Sequence, residues 1–277
     1  MAPQSRGVDG MELTFGKRAA LCQGVGRRLL RLMEEKRTNL CVAVDVSSAS
    51  ELLRIIRAVG EETAVIKTHV DMLDDWRPDL VGELRDLSNE LDFLLLEDRK
   101  FADIGKTVRS QYAGGSFRIA EWAHLVTAHA ISGEGIITAL QEGTVRERGC
   151  LLIAQMSTAS NFLSADYAKQ VLALGRRHPD FVTGFICANR EDELRSFAGA
   201  AGSGFVRFTP GAHLMATGDR LDQKYTHPRA LVAAGSDVVI VGRAITEALN
   251  PPETARQYRE VAWSAYLERI SSPTSGR

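Results

Sequence analysis

The sequence predicts an α/β fold, a (β/α)8 TIM barrel with an extra N-terminal helix. Short apolar runs alternate with amphipathic stretches, which is typical of strand–helix units built around a parallel sheet. Eight such units follow one another between residues 40 and 270, the span that a barrel of this class needs. An open, doubly wound sheet is the alternative architecture for the same alternation.

The eight apolar runs are predicted to be strands. Most are continuously apolar rather than alternating, as expected for strands that are covered on both faces. They comprise residues 40–46, 64–70, 92–97, 124–130, 150–156, 181–187, 204–209 and 237–241.

The segments between the strands carry helical patterns. Residues 50–59 place Leu52, Ile56 and Val59 on one face, with Ser48 or Ser50 as the cap. Further helices are predicted over 78–91, 103–119, 165–177, 189–203 and 254–270. Residues 13–35 predict the extra helix, which we expect to cover the bottom of the barrel. We therefore divide the chain into an N-terminal extension with this capping helix (1–39), a barrel domain (40–270) and a linker-like tail (271–277).

Charge and composition exclude several classes of function. The 277 residues include 34 basic and 35 acidic side chains, so the chain lacks the overall positive charge of a nucleic-acid-binding protein. No apolar stretch reaches the length of a membrane span, and the polar N-terminus lacks the apolar core of a secretory signal. We expect no nucleic-acid or membrane partner and a cytoplasmic location.

The cysteines and histidines point to neither disulfides nor a metal. Cys22, Cys41, Cys150 and Cys187 form no C-x-x-C pair and lie in or beside apolar runs, which favours buried, reduced thiols. The six histidines form no metal-binding spacing. We predict no metal site.

Polar residues collect where the predicted strands end, which is where barrel enzymes carry their chemistry. A single charge at such a position is usually a solvated loop residue, but here six strand ends carry polar residues. They are Asp45, Lys67, Asp98 with Lys100, Ser157, Pro210 with Gly211, and Arg243.

The segment after the third strand has the most informative spacing. Asp98 and Lys100 are two residues apart, so an extended backbone would point both to one side. Asp103 and Thr107 are four apart, so a helix would present both on one face. A charged surface loop is the alternative. With Lys67, however, the segment supplies two ammonium groups and two carboxylates in matched number.

These residues carry a resemblance to a known family. The elements Asp98-x-Lys100-x-x-Asp103 and Lys67-Thr68-His69 resemble orotidine 5'-monophosphate decarboxylases of the eukaryotic type, as in the decarboxylase domain of bifunctional UMP synthase. The resemblance extends over residues 40–267 and includes Thr209-Pro210-Gly211, Gln223-Lys224-Tyr225 and residues 236–243. The D-x-K-x-x-D element alone is less specific, because sugar-phosphate decarboxylases and synthases of related barrels share it.

The resemblance implies decarboxylation of orotidine 5'-monophosphate to UMP in pyrimidine synthesis without a cofactor. It implies that Lys67, Asp98, Lys100 and Asp103 form an alternating charged array and that Lys100 protonates C6 of the pyrimidine. It also implies a homodimer in which Asp103 and Thr107 cross into the neighbouring active site.

The remaining implied site residues bind substrate. They are Asp45 on a ribose hydroxyl, Ser157 on the amide edge of the pyrimidine, and Pro210, Gln223, Tyr225, Gly242 and Arg243 around the phosphate. The polar residues 212–224 are expected to form a lid over the phosphate.

Fusion to orotate phosphoribosyltransferase, as in many eukaryotic members of the family, is a further implication. Three alternatives stay open. One is a related phosphosugar decarboxylase or aldolase-like barrel, and another is a Schiff-base aldolase using Lys67. The third is a nucleotide-binding barrel without activity.

Overall fold

Eight parallel strands close into a barrel in chain order, and the eighth strand pairs with the first. The computed structural model describes residues 12–144, 146–158, 160–215 and 225–272. The strands are β1 (Leu40–Val44), β2 (Val65–Thr68), β3 (Leu94–Phe101), β4 (Leu125–Ala128), β5 (Gly149–Ile153), β6 (Val182–Ile186), β7 (Val206–Thr209) and β8 (Val238–Val241). All eight predicted strands are present, so the predicted barrel is confirmed and the open sheet is not.

Helices precede, separate and follow the strands. Within the described residues they are α1 (Phe15–Ala19), α2 (Gly24–Lys36), α3 (Ala49–Val59), α4 (Leu80–Glu90), α5 (Gly105–Ala113), α6 (Gly135–Glu142), α7 (Ala165–Arg177), α8 (Glu191–Ala201), α9 (Pro228–Ala233), α10 (Arg243–Thr246) and α11 (Pro251–Ser271). Of the two predicted caps for α3, Ser48 is the one whose side chain accepts the backbone N–H of Glu51, at 3.3 Å. None of these helices has the length and apolar character needed to span a membrane.

Two predicted helices differ from those observed, and glycines explain both differences. The single helix predicted over 13–35 is two helices, because the chain is extended at Gln23 and Gly24 has φ +50°. The helix predicted over 103–119 begins at Gly105 and ends at Ala113. Gly114 and Gly115 follow Ala113, and Gly115 adopts φ +64°, a conformation that favours glycine and ends a helix.

The core has two layers, the interior of the barrel and the space between strands and helices. Each strand other than β3 and β6 is buried along its whole length, which explains the continuously apolar runs. All four cysteines are buried and free, as predicted. Helix α2 packs against β5 and β6. That the N-terminal segment covers the bottom of the barrel stays a prediction. The domain boundaries at residues 39 and 270 stay predictions.

A buried ion cluster fixes the N-terminal segment to the barrel. Asp237, just before β8, is fully buried, and its carboxylate accepts hydrogen bonds from Arg18 at 2.5 and 2.9 Å. Arg207 and Arg269 donate to the same carboxylate at 2.7 and 3.2 Å. Burial alone would raise the pKa of Asp237, but the three guanidinium groups hold it below its usual range. The cluster therefore joins α1, β7, β8 and α11.

We expect Asp237→Ala to destabilise the fold strongly, because it leaves buried guanidinium groups without their counter-charge. Removing one partner of a buried ion pair typically costs about 3–5 kcal/mol of the free energy of unfolding. Urea denaturation measures this change. As a control, Glu253→Gln changes only exposed contacts, those with Arg256 and Gln257, and should leave the urea midpoint nearly unchanged. Equal, small effects of both substitutions would contradict this role of the cluster.

Candidate active site

A cavity of about 700 Å³ opens at the carboxyl ends of the strands. Its volume lies within the range of pockets that hold nucleotide-sized ligands. Apolar side chains line its floor and walls, including Ala43, Ile153, Ile186 and Ile240. The residues predicted from the strand ends line it as well: Asp45, Lys67, Asp98, Lys100, Ser157, Pro210, Gly211 and Arg243. Tyr225 and Gly242, which the family resemblance implied, also line it.

Asp98 is the centre of the charged groups in this cavity. Its Oδ2 lies 2.7 Å from Nζ of Lys100, 3.2 Å from Nζ of Lys67 and 3.2 Å from Nε2 of His69. Its Oδ1 accepts a hydrogen bond from the hydroxyl of Thr127 at 2.8 Å. Burial alone would raise the pKa of Asp98, but Lys67, His69 and Lys100 hold it well below the usual value. Asp98 is therefore an ionised carboxylate in a largely buried position.

Lys67 bridges two carboxylates. Its ammonium lies 3.0 Å from Asp45 and 3.2 Å from Asp98, and its side chain is only 7% exposed. Burial favours the neutral amine, yet Asp98 and Asp45 together raise the pKa of Lys67 above its usual value. Lys67 is thus held as a cation, which is unfavourable for a Schiff-base nucleophile because such a lysine must be neutral to attack.

An irregularity in β3 places Lys100. The pairing of β3 with β4 shifts register between Glu97 and Phe101, and Lys100 has φ +51°, which is uncommon for a residue with a side chain. The backbone N–H of Lys100 donates to the hydroxyl of Thr127 at 2.9 Å, which stabilises this conformation. Lys100 and Asp98 thus face the same cavity through a bulge rather than through the regular extended strand we predicted.

Glu97 lies on the other face of β3, away from the cavity. Its fully buried carboxyl group accepts the hydroxyl of Thr68 at 2.7 Å and the backbone N–H of Val70 at 3.2 Å. Burial raises the pKa of Glu97 to about 8. The group is therefore mostly protonated at neutral pH, and it fixes the turn that carries His69.

Polar residues also line the side of the cavity that β7 and β8 form. Arg243, the first residue of α10, donates from Nη2 to the hydroxyl of Tyr225 at 3.0 Å. Gly211 has φ +78°, so the Pro210–Gly211 turn needs a glycine at its second position. Gln223 and most of the predicted lid, residues 216–224, lie outside the described residues. The two ends of that loop are joined, since the backbones of Ala212 and Thr226 form a β-bridge.

Asp103 and Thr107 do not line the cavity of the single chain. Asp103 is exposed and lies before α5, which begins at Gly105, so the expectation that a helix presents both residues on one face was wrong. The intervening Ile104 is 67% exposed, which is unusual for an isoleucine next to a buried core.

The sequence analysis assigned no role to four residues that shape the site: His69, Glu97, Thr127 and Gln155. Glu97 is the last residue of its predicted strand, and His69 and Gln155 lie one residue before the ends of theirs, so the strand-end criterion could have found all three. Thr127 lies in the middle of its predicted strand, so no local pattern identifies it. The structure places no group of three or more potential metal-binding side chains within the described ranges.

Comparisons with known proteins agree with this geometry. The model of the orotidine 5'-phosphate decarboxylase / HUMPS family matches residues 38–258. The chain is 44% identical to orotidine 5'-phosphate decarboxylase from Rhizomucor pusillus, covering 93% of this chain and 97% of the fungal protein. It is 42% identical to the Schizosaccharomyces pombe enzyme of that name over 89% of this chain and 92% of the relative.

A longer relative is uridine 5'-monophosphate synthase from Bos taurus, which is 44% identical over 94% of this chain. The chain spans about half, 53%, of the bovine protein. Among solved structures, orotidine 5'-monophosphate decarboxylase from Methanocaldococcus jannaschii superposes with a TM-score of 0.65 at 21% identity. That structure matches 81% of this chain and 98% of its own, and it supports the fold alone.

The pKa values of two adjacent carboxyl groups predict opposite pH dependences of stability. The folded-state pKa of Asp98 is depressed, so its contribution is present above the unfolded-state value of 3.8 and is lost as pH falls. The pKa of Glu97 is raised from 4.5 to about 8, so its contribution falls as pH rises between these values.

We expect the difference in unfolding free energy between the wild type and Asp98→Asn to shrink below about pH 4, where the unfolded chain takes up the proton. Relative to Glu97→Gln, the wild type should instead lose unfolding free energy as the pH rises from 5 towards 8. Urea denaturation from below pH 4 to pH 8 measures both free-energy differences. Parallel curves for the two variants would contradict the assigned ionisation states.

Proposed function

Because the chain belongs to the orotidine 5'-phosphate decarboxylase / HUMPS family, we propose that its cavity decarboxylates orotidine 5'-monophosphate to UMP in pyrimidine synthesis. The observation that carries the proposal is one carboxylate, Asp98, held between Lys67 and Lys100 at the mouth of a barrel. The names of the relatives favour this reaction over that of a phosphosugar decarboxylase or aldolase.

The reaction leaves an electron pair on a ring carbon that cannot delocalise it well. The bond from C6 to the carboxylate breaks, CO2 leaves, and the pair stays on C6 until a proton arrives. Lys100 carries the proton that we assign to C6, and its positive charge stabilises the developing carbanion. Its side chain is 40% exposed, so it can move from Asp98 to the substrate and regain its proton from water.

Asp98 and Lys67 act on the charge of the substrate. A substrate carboxylate beside ionised Asp98 is repelled, and this repulsion disappears when CO2 departs. At an effective dielectric constant near 20, unit charges about 4 Å apart interact by about 4 kcal/mol, enough to change the barrier. Lys67 balances Asp98 and keeps it ionised, while Thr127 fixes its orientation.

The remaining cavity residues bind the nucleotide. We assign Asp45, whose side chain is 41% exposed, and Lys67 to the ribose, and Ser157 to the pyrimidine. The guanidinium of Arg243, with Tyr225 and the backbone of Gly242, forms the part of the cavity that binds the phosphate, which we call the phosphate arm. Gln223 is assigned to it by family resemblance. Binding energy from the phosphate can then organise the charged groups around the reacting carboxylate.

We assign the complete site to a homodimer. Asp103 and Thr107 lie outside the cavity of their own chain, and Asp103 and the apolar Ile104 beside it are exposed. Ile131, in the turn before α6, is 73% exposed, and α5 packs against α6. A second copy covering this surface would bury both isoleucines and bring Asp103 towards the partner's Lys100.

Two further assignments rest on the sequence and the relatives. Fusion to an orotate phosphoribosyltransferase is supported by the match to a uridine 5'-monophosphate synthase twice as long. The cytoplasm is the compartment that we infer from the composition.

We expect Lys100→Ala to lower kcat by at least ~10²–10⁴, the contribution typical of general acid catalysis. The decrease in substrate absorbance during conversion of orotidine 5'-monophosphate to UMP gives the rate, with EDTA present because no metal is proposed. Lys169→Ala, which removes a 76% exposed lysine on α7, is the matched control and should retain wild-type activity. Near-normal turnover by Lys100→Ala would remove Lys100 from this role.

Mixing two inactive variants tests the shared site. A dimer of one Lys100→Ala chain and one Asp103→Ala chain has one site with both residues intact. Random exchange should therefore restore about a quarter of the wild-type sites, since half of the dimers are mixed. Activity is measured before and after the two variants are dissociated and reassociated together. If the mixture stays as inactive as its components, Lys100 and Asp103 belong to the same chain's site.

A further inference from the structure

A second pocket lies at the opposite end of the barrel from the active-site cavity. It has a volume of about 390 Å³ and lies where β4 and β5 begin, because His124 directly precedes β4 and Arg148 directly precedes β5. Arg28 of α2 and Arg85 of α4 form its sides. It shares no lining residue with the active-site cavity.

The charges around this pocket are strongly unbalanced. Four arginines line it, Arg28, Arg85, Arg146 and Arg148, against the single carboxylate of Glu147. Among the described residues, no carboxylate oxygen lies within the 4.0 Å of an ion pair from any of these guanidinium groups. By contrast, the three arginines of the Asp237 cluster share one carboxylate.

Arg148 is a fixed, largely buried group in the pocket. It is 8% exposed, and it donates from Nε to the carbonyl of Ala120 and from Nη2 to that of Glu121, both at 3.0 Å. Neutral carbonyl oxygens orient the guanidinium but leave its charge uncompensated. Burial and the nearby Arg146, Arg85 and Arg28 accordingly lower the pKa of Arg148.

His124 adds a hydrogen-bond donor rather than an acceptor. Its Nδ1 accepts the backbone N–H of Leu95 at 3.0 Å, so the neutral ring carries its proton on Nε2. Burial, followed by the charges of Arg28, Arg148 and Arg85, lowers the pKa of His124 to about 3. The ring is therefore neutral at physiological pH, and the pocket is lined mainly by donors and positive charge.

We propose that this pocket binds a small anion with two or more phosphate groups, either an inorganic polyphosphate or the polyphosphate chain of a nucleotide. Guanidinium groups match phosphate oxygens in bidentate geometry, and several of them around one pocket can contact successive phosphates. The volume suits a small molecule. Such a ligand would relieve the repulsion among the four arginines, which a single phosphate would do only in part.

Calorimetric titration of the full chain with tripolyphosphate tests the proposal. The titration uses the Arg243→Ala background, which removes the phosphate arm of the active-site cavity from the measurement. We expect one saturable site, binding of orthophosphate at least tenfold weaker, and an affinity that falls with added salt. In the same background, Arg28→Gln with Arg85→Gln should lower the affinity by about 100-fold, since each arginine–phosphate hydrogen bond is worth roughly tenfold.

Arg57→Gln is the matched control, because Arg57 is an exposed helical arginine outside the pocket. It should leave tripolyphosphate binding unchanged, and circular dichroism verifies that all variants are folded. A parallel titration with UTP separates the two sources. Tighter binding of UTP indicates a nucleotide, and tighter binding of tripolyphosphate indicates an inorganic polyphosphate. Absence of saturation up to about 1 mM, or equal affinity in the wild-type and the doubly substituted pocket, would overturn the proposal.

Discussion

The geometry at the mouth of the barrel depends on one carboxylate oxygen. Oδ2 of Asp98 is shared by three nitrogen atoms from two strand ends, those of Lys67, His69 and Lys100. Burying the carboxylate of Asp98 or the ammonium of Lys67 alone would be unfavourable, and each stabilises the other in the cavity. Closed parallel pairing provides the arrangement, because it brings the carboxyl ends of β2 and β3 side by side.

A second buried carboxylate in the same chain shows how exposure separates a structural cluster from a reactive one. Asp237 has three arginine partners, which are nearly inaccessible and tie four elements together. Around Asp98, the side chains of Lys100 and Asp45 are about 40% exposed. Both clusters neutralise a buried carboxylate. Only the cluster at the mouth includes a cation, Lys100, that is exposed enough to contact another molecule.

Adjacent residues in β3 illustrate how the fold sets ionisation. Glu97 and Asp98 are neighbours in sequence, yet the pKa of one is raised to about 8 and that of the other lies well below the usual value. Strand alternation turns Glu97 towards a hydroxyl and a backbone N–H, and Asp98 towards two ammonium groups. The protonated neighbour can therefore support the turn that bears His69 without adding a second negative charge to the cavity.

The sequence by itself determined the barrel and the position of most of the site, because continuous apolar runs and polar strand ends are local patterns. Asp45, Lys67, Asp98, Lys100 and Arg243 could be chosen in this way, since parallel strands bring their carboxyl ends together. Only the tertiary structure decided the bulge at Lys100 and the contact of Thr127 with Asp98. It also brought Arg28, Arg85 and Arg148 around one pocket. These features depend on register and on packing between residues far apart in the chain, which no local pattern records.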